Sequence, residues 1–457
     1  MTPAGQARSR GDKGMSPPAP RQAQEGTCCI DTLDTSRFGT RTSLDPTLHA
    51  AHERPTIAPE ASLPLPPEFL AAVLSTSKVT ACPHNLYKYP ARFAPEFARE
   101  AIRAFSQPGD VVLDVFNGGA TGMIEAVALG RRAVGYDISQ LACFIAQVKS
   151  TPLSVHDERA LLEWNDHLPE IDNTQATAAW DSVDTDDGYY RRNLPQDALG
   201  FFSVVIARLT DLPKERQRRF ARLVLLSVGQ WALDCKKHVP TASRMREEFR
   251  QQLATNAHAF HAYTRKVAKD LGIPARKMES RRKIIQASSE NCGNVGRSTW
   301  KKASLIVTSP PYPGVHMLYH RWQILGRRET PAPFMIADCR DGDGISFYNL
   351  GHRGEIGLKT YYARLTKIFA AARTRLKDDG LVVQMVAFNQ PDWQLPAFLA
   401  AMEAAGYTQV MPELPPEMGV DSNLWRAVPG RRWYVVATRK GNAAAKEVVL
   451  FHRPTIG

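Results

Sequence analysis

Five consecutive residues, Thr308-Ser309-Pro310-Pro311-Tyr312, bring together groups suited to a flat polar ring. Two prolines fix φ and remove two N–H donors, so the carbonyls around them are rigid acceptors. A hydroxyl stands just before them and an aromatic ring just after. Such an array suits a planar base with an exocyclic amino group. The amine donates to the Ser309 hydroxyl and the Pro310 carbonyl, and the Tyr312 ring stacks on the base. A proline-rich structural turn is the alternative for the same residues. The apolar run ASLIVTS (Ala303–Ser309) leads into them and predicts a buried strand that delivers the array at its carboxyl end.

A second constellation follows another short apolar run, VVLDVF (Val111–Phe116). Asp114 lies in that run, and Gly118, Gly119 and Gly122 line the turn NGGATG after it. Glycines there let backbone N–H groups approach a ligand at the carboxyl end of a parallel strand. Asp137 closes the next strand, RRAVGYDIS, where an acid is placed to accept hydrogen bonds from ribose hydroxyls. A plain strand-to-helix turn is the alternative. A dinucleotide site needs G-x-G-x-x-G and a phosphate loop needs G-x-x-x-x-G-K-[ST]; this turn supplies neither. What fits is a ligand with ribose and little phosphate, such as S-adenosylmethionine.

The elements that must position these groups alternate in type. Residues 67–75 begin the ordered chain, and Pro95–Asp110 reads as a helix with proline at its start and Pro-Gly near its end. Strand Val111–Phe116, turn, helix Met123–Gly130 and strand Arg131–Ser139 make a parallel βαβ unit. Further strands are expected at Lys283–Ser288, Ala303–Ser309, Gly380–Phe388 and Arg431–Lys440, with a helix at Thr360–Leu376. The predicted class is α/β. Residues 152–282 interrupt the alternation as an inserted helical subdomain, and residues 1–60 read as a disordered tail. The α/β sheet then falls in two parts, residues 61–151 and 283–457.

A chain of 457 residues suits two to four structural units. No run reaches the roughly 18 apolar residues that would cross a bilayer, and the N-terminus lacks the apolar stretch of a secretory signal. Seven scattered cysteines without a C-x-x-C pair argue against a disulfide framework or zinc ribbon, so a cytoplasmic protein is expected. His316 and His320, like His258 and His261, lack a third ligand in register, and no metal is expected. The net charge of +12 is uneven. Residues 200–283 carry 19 Lys/Arg against 7 Asp/Glu, whereas residues 151–199 carry 3 against 11. The basic stretch suits phosphate tracking, with Arg216, Arg218, Arg219, Arg222, Arg281 and Arg282 as candidates; a solvated basic helix face is the alternative.

DVFNGGATG, Asp137 and TSPPY together resemble the amino-methylating DNA methyltransferases, which act on cytosine N4 or adenine N6. HNLYKYPARFAPEF (His84–Phe97) resembles the segment that in this family packs against the methionine end of the cofactor. The resemblance spans about residues 85–150 and 283–440 and leaves the insert aside. It implies a Rossmann-like methyltransferase sheet and S-adenosylmethionine held by Tyr89, Pro90, Arg92, Phe93, Asp114, Phe116, Gly118, Gly119, Thr121 and Asp137. It also implies catalysis by Ser309, Pro310, Pro311 and Tyr312 on double-stranded DNA. Serine at the first position of S-P-P-Y resembles the cytosine-N4 subgroup, which implies a modification enzyme paired with a restriction endonuclease. Adenine-N6 or RNA base methylation stays open, as does a silent nucleic-acid-binding relative. The sequence departs from the family pattern at Val115, in place of proline, and at Ala120, in place of glycine, where a methyl is expected to narrow the cofactor turn. Cytosine-C5 chemistry needs a thiolate, typically in a Pro-Cys dipeptide, and the chain has none.

Overall fold

Val111–Asp114, β1, is buried on both faces, as a central parallel strand must be. It lies between β2 (Arg132–Asp137) and β4 (Ala303–Thr308), parallel to both. The protein is described here by a computed structural model covering residues 62–89, 92–169, 188–294, 300–314, 321–326, 328–342, 345–352, 354–418, 422–427 and 446–455. The expected tail and the expected strand Arg431–Lys440 lie outside the described residues.

Beyond β2 lies β3 (Arg282–Gln286), and beyond β4 lies β7 (Leu376–Val386), both parallel to their neighbours. The far edge is antiparallel: β10 (Lys446–Pro454) pairs with β7, β8 (Tyr407–Val410) and β9 (Leu424–Ala427). The order is β3-β2-β1-β4-β7-β10-β8, with β9 also on β10. This is a Rossmann-like α/β sheet, and its winding reverses between β1 and β4. Ligands of open α/β sheets bind at such a reversal, outside the carboxyl ends of the strands. The sequence pattern locates β7 four residues late, because Lys377, Asp378 and Asp379 hide its start. It does not include β10, whose buried centre is Val448–Phe451.

Helices α1 (Pro67–Leu74), α2 (Pro95–Phe105), α3 (Thr121–Ala128) and α4 (Gln140–Lys149) accompany the first half of the sheet. Helix α2 buries Phe97 and Ile102 and stops at Phe105, five residues short of the expected end, because Ser106 turns extended. Its Phe97 and Phe105 meet Phe69 of α1 at ring distances of 5.9 and 5.4 Å.

Residues 152–282 are helical where described: α5 (Val155–Asp166), α6 (Gln196–Arg208), α7 (Glu215–Leu233), α8 (Ala242–Asp270) and the short α9 (Arg276–Glu279). The helical spacing of Phe220, Leu223 and Leu226 does bury one face of α7. Phe220 stacks on Phe260 of α8 at 5.6 Å. This core continues into Leu141 and Ile145 of α4 and into Trp322 and Ile324 of β5 (Trp322–Ile324), which pairs with β6 (Arg328–Thr330). The acidic stretch answers part of the basic one: Asp157 caps α5 and pairs with Lys214 at 3.2 Å, and Asp166 pairs with Arg250 at 3.4 Å. No helix among the described residues is long and apolar enough to cross a membrane. Farther along, α10 (Ala332–Ile336), α11 (Glu355–Arg373) and α12 (Pro391–Ala404) complete the α-helices among the described residues.

Gly229 is a close joint between α7 and β5. A Cβ there would stand 2.3 Å from the Trp322 ring and 3.1 Å from Phe202. Alanine improves helix propensity by about 1 kcal/mol, but overpacking a rigid buried indole costs about 1–3 kcal/mol. Gly229→Ala is therefore expected to lower the unfolding midpoint in a urea titration. A midpoint at or above wild type would mean that this joint is loose.

Candidate functional site

Two strand ends meet at the reversal of the sheet. The Thr308 hydroxyl, at the end of β4, donates to Asp114 Oδ1, at the end of β1, over 2.7 Å, and the same oxygen accepts the Phe116 N–H at 3.0 Å. Asp114 is buried, and burial pushes its carboxyl up to about 7 against these two hydrogen bonds. Beside this link the glycine turn and the proline pair lie on opposite sides of one cleft. Tyr89, Phe116, Gly118 and Asp137 line one side, and Ser309, Pro310, Pro311 and Tyr312 the other.

On the turn side, Asp137 accepts the Gly118 N–H at 2.7 Å through Oδ2 and the Ser139 N–H at 2.8 Å through Oδ1. Burial raises its carboxyl to about 6, opposed by those backbone donors. A carboxylate has about four acceptor positions, so lone pairs remain for a ligand. Gly118 has φ +44°, and a Cβ on Gly119 would stand 2.9 Å from Cβ of Tyr89. The glycines therefore let the Tyr89 segment lie directly on the turn. That segment is clamped from behind: Lys149 donates to the Tyr87 carbonyl at 2.9 Å, Arg92 to the His84 carbonyl, and His84 contacts Glu125 at 2.6 Å. Burial pushes the Lys149 ammonium well below its ordinary value.

On the proline side, Ser309 Oγ donates to the Met385 carbonyl at 2.9 Å. Its hydrogen is thus committed to the sheet, and its lone pairs are what the hydroxyl can offer elsewhere. The Pro311 carbonyl already accepts the Tyr361 hydroxyl at 2.7 Å. Tyr312 is buried, and its hydroxyl donates to Glu447 Oε1 at 2.7 Å.

Several expected cofactor residues stand behind the cleft. Asp114 is the link between strands. Arg92 holds carbonyls of the Tyr89 segment, and Phe93 packs on Phe97 at 5.4 Å. Gly119 faces Tyr89, and Thr121 opens α3 in the interior. Pro90 lies outside the described residues. The expected narrowing by Ala120 does not occur. Ala120 takes a left-handed conformation, φ 64° and ψ 27°, and its methyl is buried in the core with Phe97 and Met123. The cleft also takes in residues that the motifs do not point to: Ser288 and Ser289 after β3, Phe347–Leu350, and Arg364. The serines follow a parallel strand beside β2, a position that could have found them. Phe347–Leu350 come from a single 3-10 turn (Ile345–Tyr348) and the residues after it, too short to leave a periodic signal.

The candidate phosphate contacts divide. Arg218 and Arg219 pair with Glu215 at 3.0 and 2.9 Å, and Arg216 lies 3.9 Å from Asp157; all three keep exposed surface. Arg222 is largely buried and donates to the Ile336 carbonyl at 2.9 Å. Arg282 donates to the Ser150 carbonyl and the Thr151 hydroxyl, and Arg281 to the Gly130 carbonyl. Arg222 and Arg282 are largely buried and bond within the fold, which departs from the expectation drawn from charge, whereas Arg281 spends one donor on the Gly130 carbonyl. His258 and His261 both contact Glu158. His316 and His320 lie outside the described residues, and so do Arg431 and Trp433. Arg321 pairs with Asp341 at 2.7 Å, and Trp322 is core.

Residues 67–148 match the family model described as DNA methylase, the N6/N4 methyltransferases. This stretch runs from α1 through the glycine turn to α4. The chain is also similar to the Type II methyltransferase M.MjaII of Methanocaldococcus jannaschii, at 27% identity over 90 residues. That match covers 20% of this chain and 17% of the relative's length. Among solved structures, TrmN from Thermus thermophilus aligns over 79% of this chain and 48% of its own, at 10% identity and a TM-score of 0.27. The rRNA methyltransferase aviRa from Streptomyces viridochromogenes aligns over 83% and 95%, at 11% identity and a TM-score of 0.28.

Asp114 gives the site a pH signature. Its folded pKa of about 7 lies above its ordinary 3.8, so the fold binds a proton that the unfolded chain releases. That contribution is present at acid pH and is lost as pH rises toward 7. An asparagine side chain here would keep an oxygen for Thr308 and Phe116 without the ionisation. Asp114→Asn is therefore expected to gain stability relative to wild type between pH 4 and 7, by on the order of 2–4 kcal/mol. Thermal unfolding of both proteins across that range is the check; a gap that stays constant or closes would remove Asp114 as a buried titrating group.

Proposed function

We propose that this protein is an S-adenosylmethionine-dependent methyltransferase acting on the exocyclic amine of a base in double-stranded DNA, with cytosine N4 as the target atom. The observation that carries this reading is the single cleft that joins the Asp137–Gly118 turn to Ser309–Tyr312. The cofactor fits the residues present. Asp137 keeps acceptor positions for ribose hydroxyls, Tyr89 and Phe116 supply apolar walls, and Gly118 leaves the turn open. When bound, it supplies a sulfonium methyl group as the electrophile.

The chain's own part is positioning. The lone pair of a base amine is delocalised into the ring, which makes the nitrogen a poor nucleophile. Acceptance of its hydrogens by Ser309 Oγ and the Pro310 carbonyl favours a pyramidal nitrogen and frees the lone pair for in-line attack. Ser309 suits this role because its own hydrogen is held by the Met385 carbonyl. Orientation and exclusion of water supply the remaining acceleration, and no covalent intermediate is required. The base must leave the duplex to reach the cleft, where the Tyr312 ring offers a stacking surface. Arg216, Arg218 and Arg219 are the insert residues we assign to phosphate. The methyl of Ala120 lies in the core and so gives no support to a silent binding protein. The likeness to a Type II methyltransferase supports a modification role beside a restriction endonuclease of the same site.

Incubation with methyl-labelled S-adenosylmethionine and DNA, followed by mass spectrometry of the nucleosides, is expected to yield N4-methylcytosine. N6-methyladenine would overturn the target atom alone, and an absence of labelled nucleoside would overturn the reading. Asp137→Ala is expected to weaken cofactor binding in calorimetric titration. Ser309→Ala is expected to bind the cofactor normally and to transfer methyl at least about tenfold more slowly.

The insert makes a separate prediction. If Arg216, Arg218 and Arg219 contact phosphate, replacing all three with glutamine should reduce the slope of log affinity against log salt by about 2–3. Replacing Arg222 in the same way should leave that slope unchanged and lower stability. Equal slopes for the triple variant and wild type would mean that this face meets only solvent.

A further inference from the structure

Behind the cleft, the edge strands carry a buried charged pair that the chemistry above does not use. Glu447 on β10 and Arg426 on β9 are partners in the antiparallel register. Glu447 is 7% exposed and Arg426 is 5% exposed, and Arg426 Nε lies 3.5 Å from Glu447 Oε2. The other carboxylate oxygen, Oε1, accepts the Tyr312 hydroxyl at 2.7 Å. A buried ion pair is weak evidence for stability, since an apolar pair of similar volume often serves as well or better. What this pair does uniquely is present one carboxylate oxygen, at a fixed point in a paired strand, to the far end of the Tyr312 ring.

We propose that Glu447 is a positioning residue for methyl transfer, fixing the plane of the Tyr312 ring in the cleft, with Arg426 as the counter-charge beside its other oxygen. The inference rests on the function proposed above. The backbone around Tyr312 is already restrained by Pro310, Pro311 and the Tyr361–Pro311 hydrogen bond. The ring has two side-chain torsions left, and a hydrogen bond at its tip removes that freedom. Tyr312 thereby stands as a preset wall against which an incoming base is aligned, and misplacement of a reacting group by about 1 Å costs on the order of a hundredfold in rate.

The test uses the full chain and paired substitutions, so that no buried charge is left alone. Arg426→Met with Glu447→Leu removes the anchor and the ion pair together. Arg426→Met with Glu447→Gln removes the ion pair and keeps an acceptor for Tyr312. The leucine pair is expected to lower kcat for DNA methylation by roughly tenfold, with calorimetric affinity for S-adenosylmethionine unchanged. The glutamine pair is expected to recover most of that loss. Tyr312→Phe, which lacks the hydroxyl, is expected to show a similar loss, and adding the leucine pair to it should cause no further one. Multiplying losses in the combined variant, equal activity of the two pairs, a defect in cofactor affinity, or full activity of Tyr312→Phe would each overturn the proposal. The Tyr312→Phe result decides even if the leucine pair fails to fold. A wild-type protein that transfers no methyl to DNA would overturn the function itself and this inference with it.

Discussion

The hydrogen bond from Thr308 to Asp114 is the constraint on which the rest of the site depends. It joins the carboxyl ends of β1 and β4, the two neighbouring strands between which the sheet reverses its winding. Each strand releases one functional turn at that end. The parallel pairing of the two strands sets the glycine turn and the proline pair across a single cleft, and this link ties the two ends where those turns begin. Asp114 accepts the Thr308 hydroxyl and the Phe116 N–H from a buried position, where burial raises its carboxyl against those two hydrogen bonds. Asp114 is thus a strut between strands, whereas Asp137, one strand away, lines the cleft.

Around that strut the protein supports each half of the cleft from behind. Lys149, Arg92 and the His84–Glu125 contact hold the Tyr89 segment against the glycines. Met385, Tyr361 and Glu447 hold Ser309, Pro311 and Tyr312. Buried charged groups are costly unless hydrogen-bonded, and Lys149 here donates to a carbonyl of the Tyr89 segment while Glu447 accepts from Tyr312. The helical insert belongs to the same body: Trp322, ten residues beyond Tyr312, is packed on Gly229 of α7.

The parallel half of the sheet was legible in the sequence because each strand is a short apolar run closed by a turn, and the order of runs leaves few topologies. The two turns were legible as well, because glycines and prolines declare their backbone needs in their identity. The direction of a side chain is a different matter. Asp114, Arg92 and Phe93 are the right residue types in the right segment, yet they point into the interior, and only packing decides that. Charge counts misled for the same reason: Arg222 and Arg282 add to a basic stretch while bonding carbonyls within the fold. An alanine at position 120 suggests a narrowed turn, but its left-handed conformation, which sends the methyl into the core, is invisible in the residue type. The Phe347–Leu350 wall and Glu447 escaped notice because they come from distant, aperiodic or unexpected elements brought in by tertiary contacts.

Whether one cleft serves both a nucleoside and a base is tested most directly by a crystal structure with S-adenosylhomocysteine bound. The expected result is a ribose on the Asp137 carboxylate, with the sulfur directed across the cleft toward Ser309 and Pro310. A ligand seated outside this cleft, or a sulfur turned away from Ser309, would contradict the joint use of the two turns.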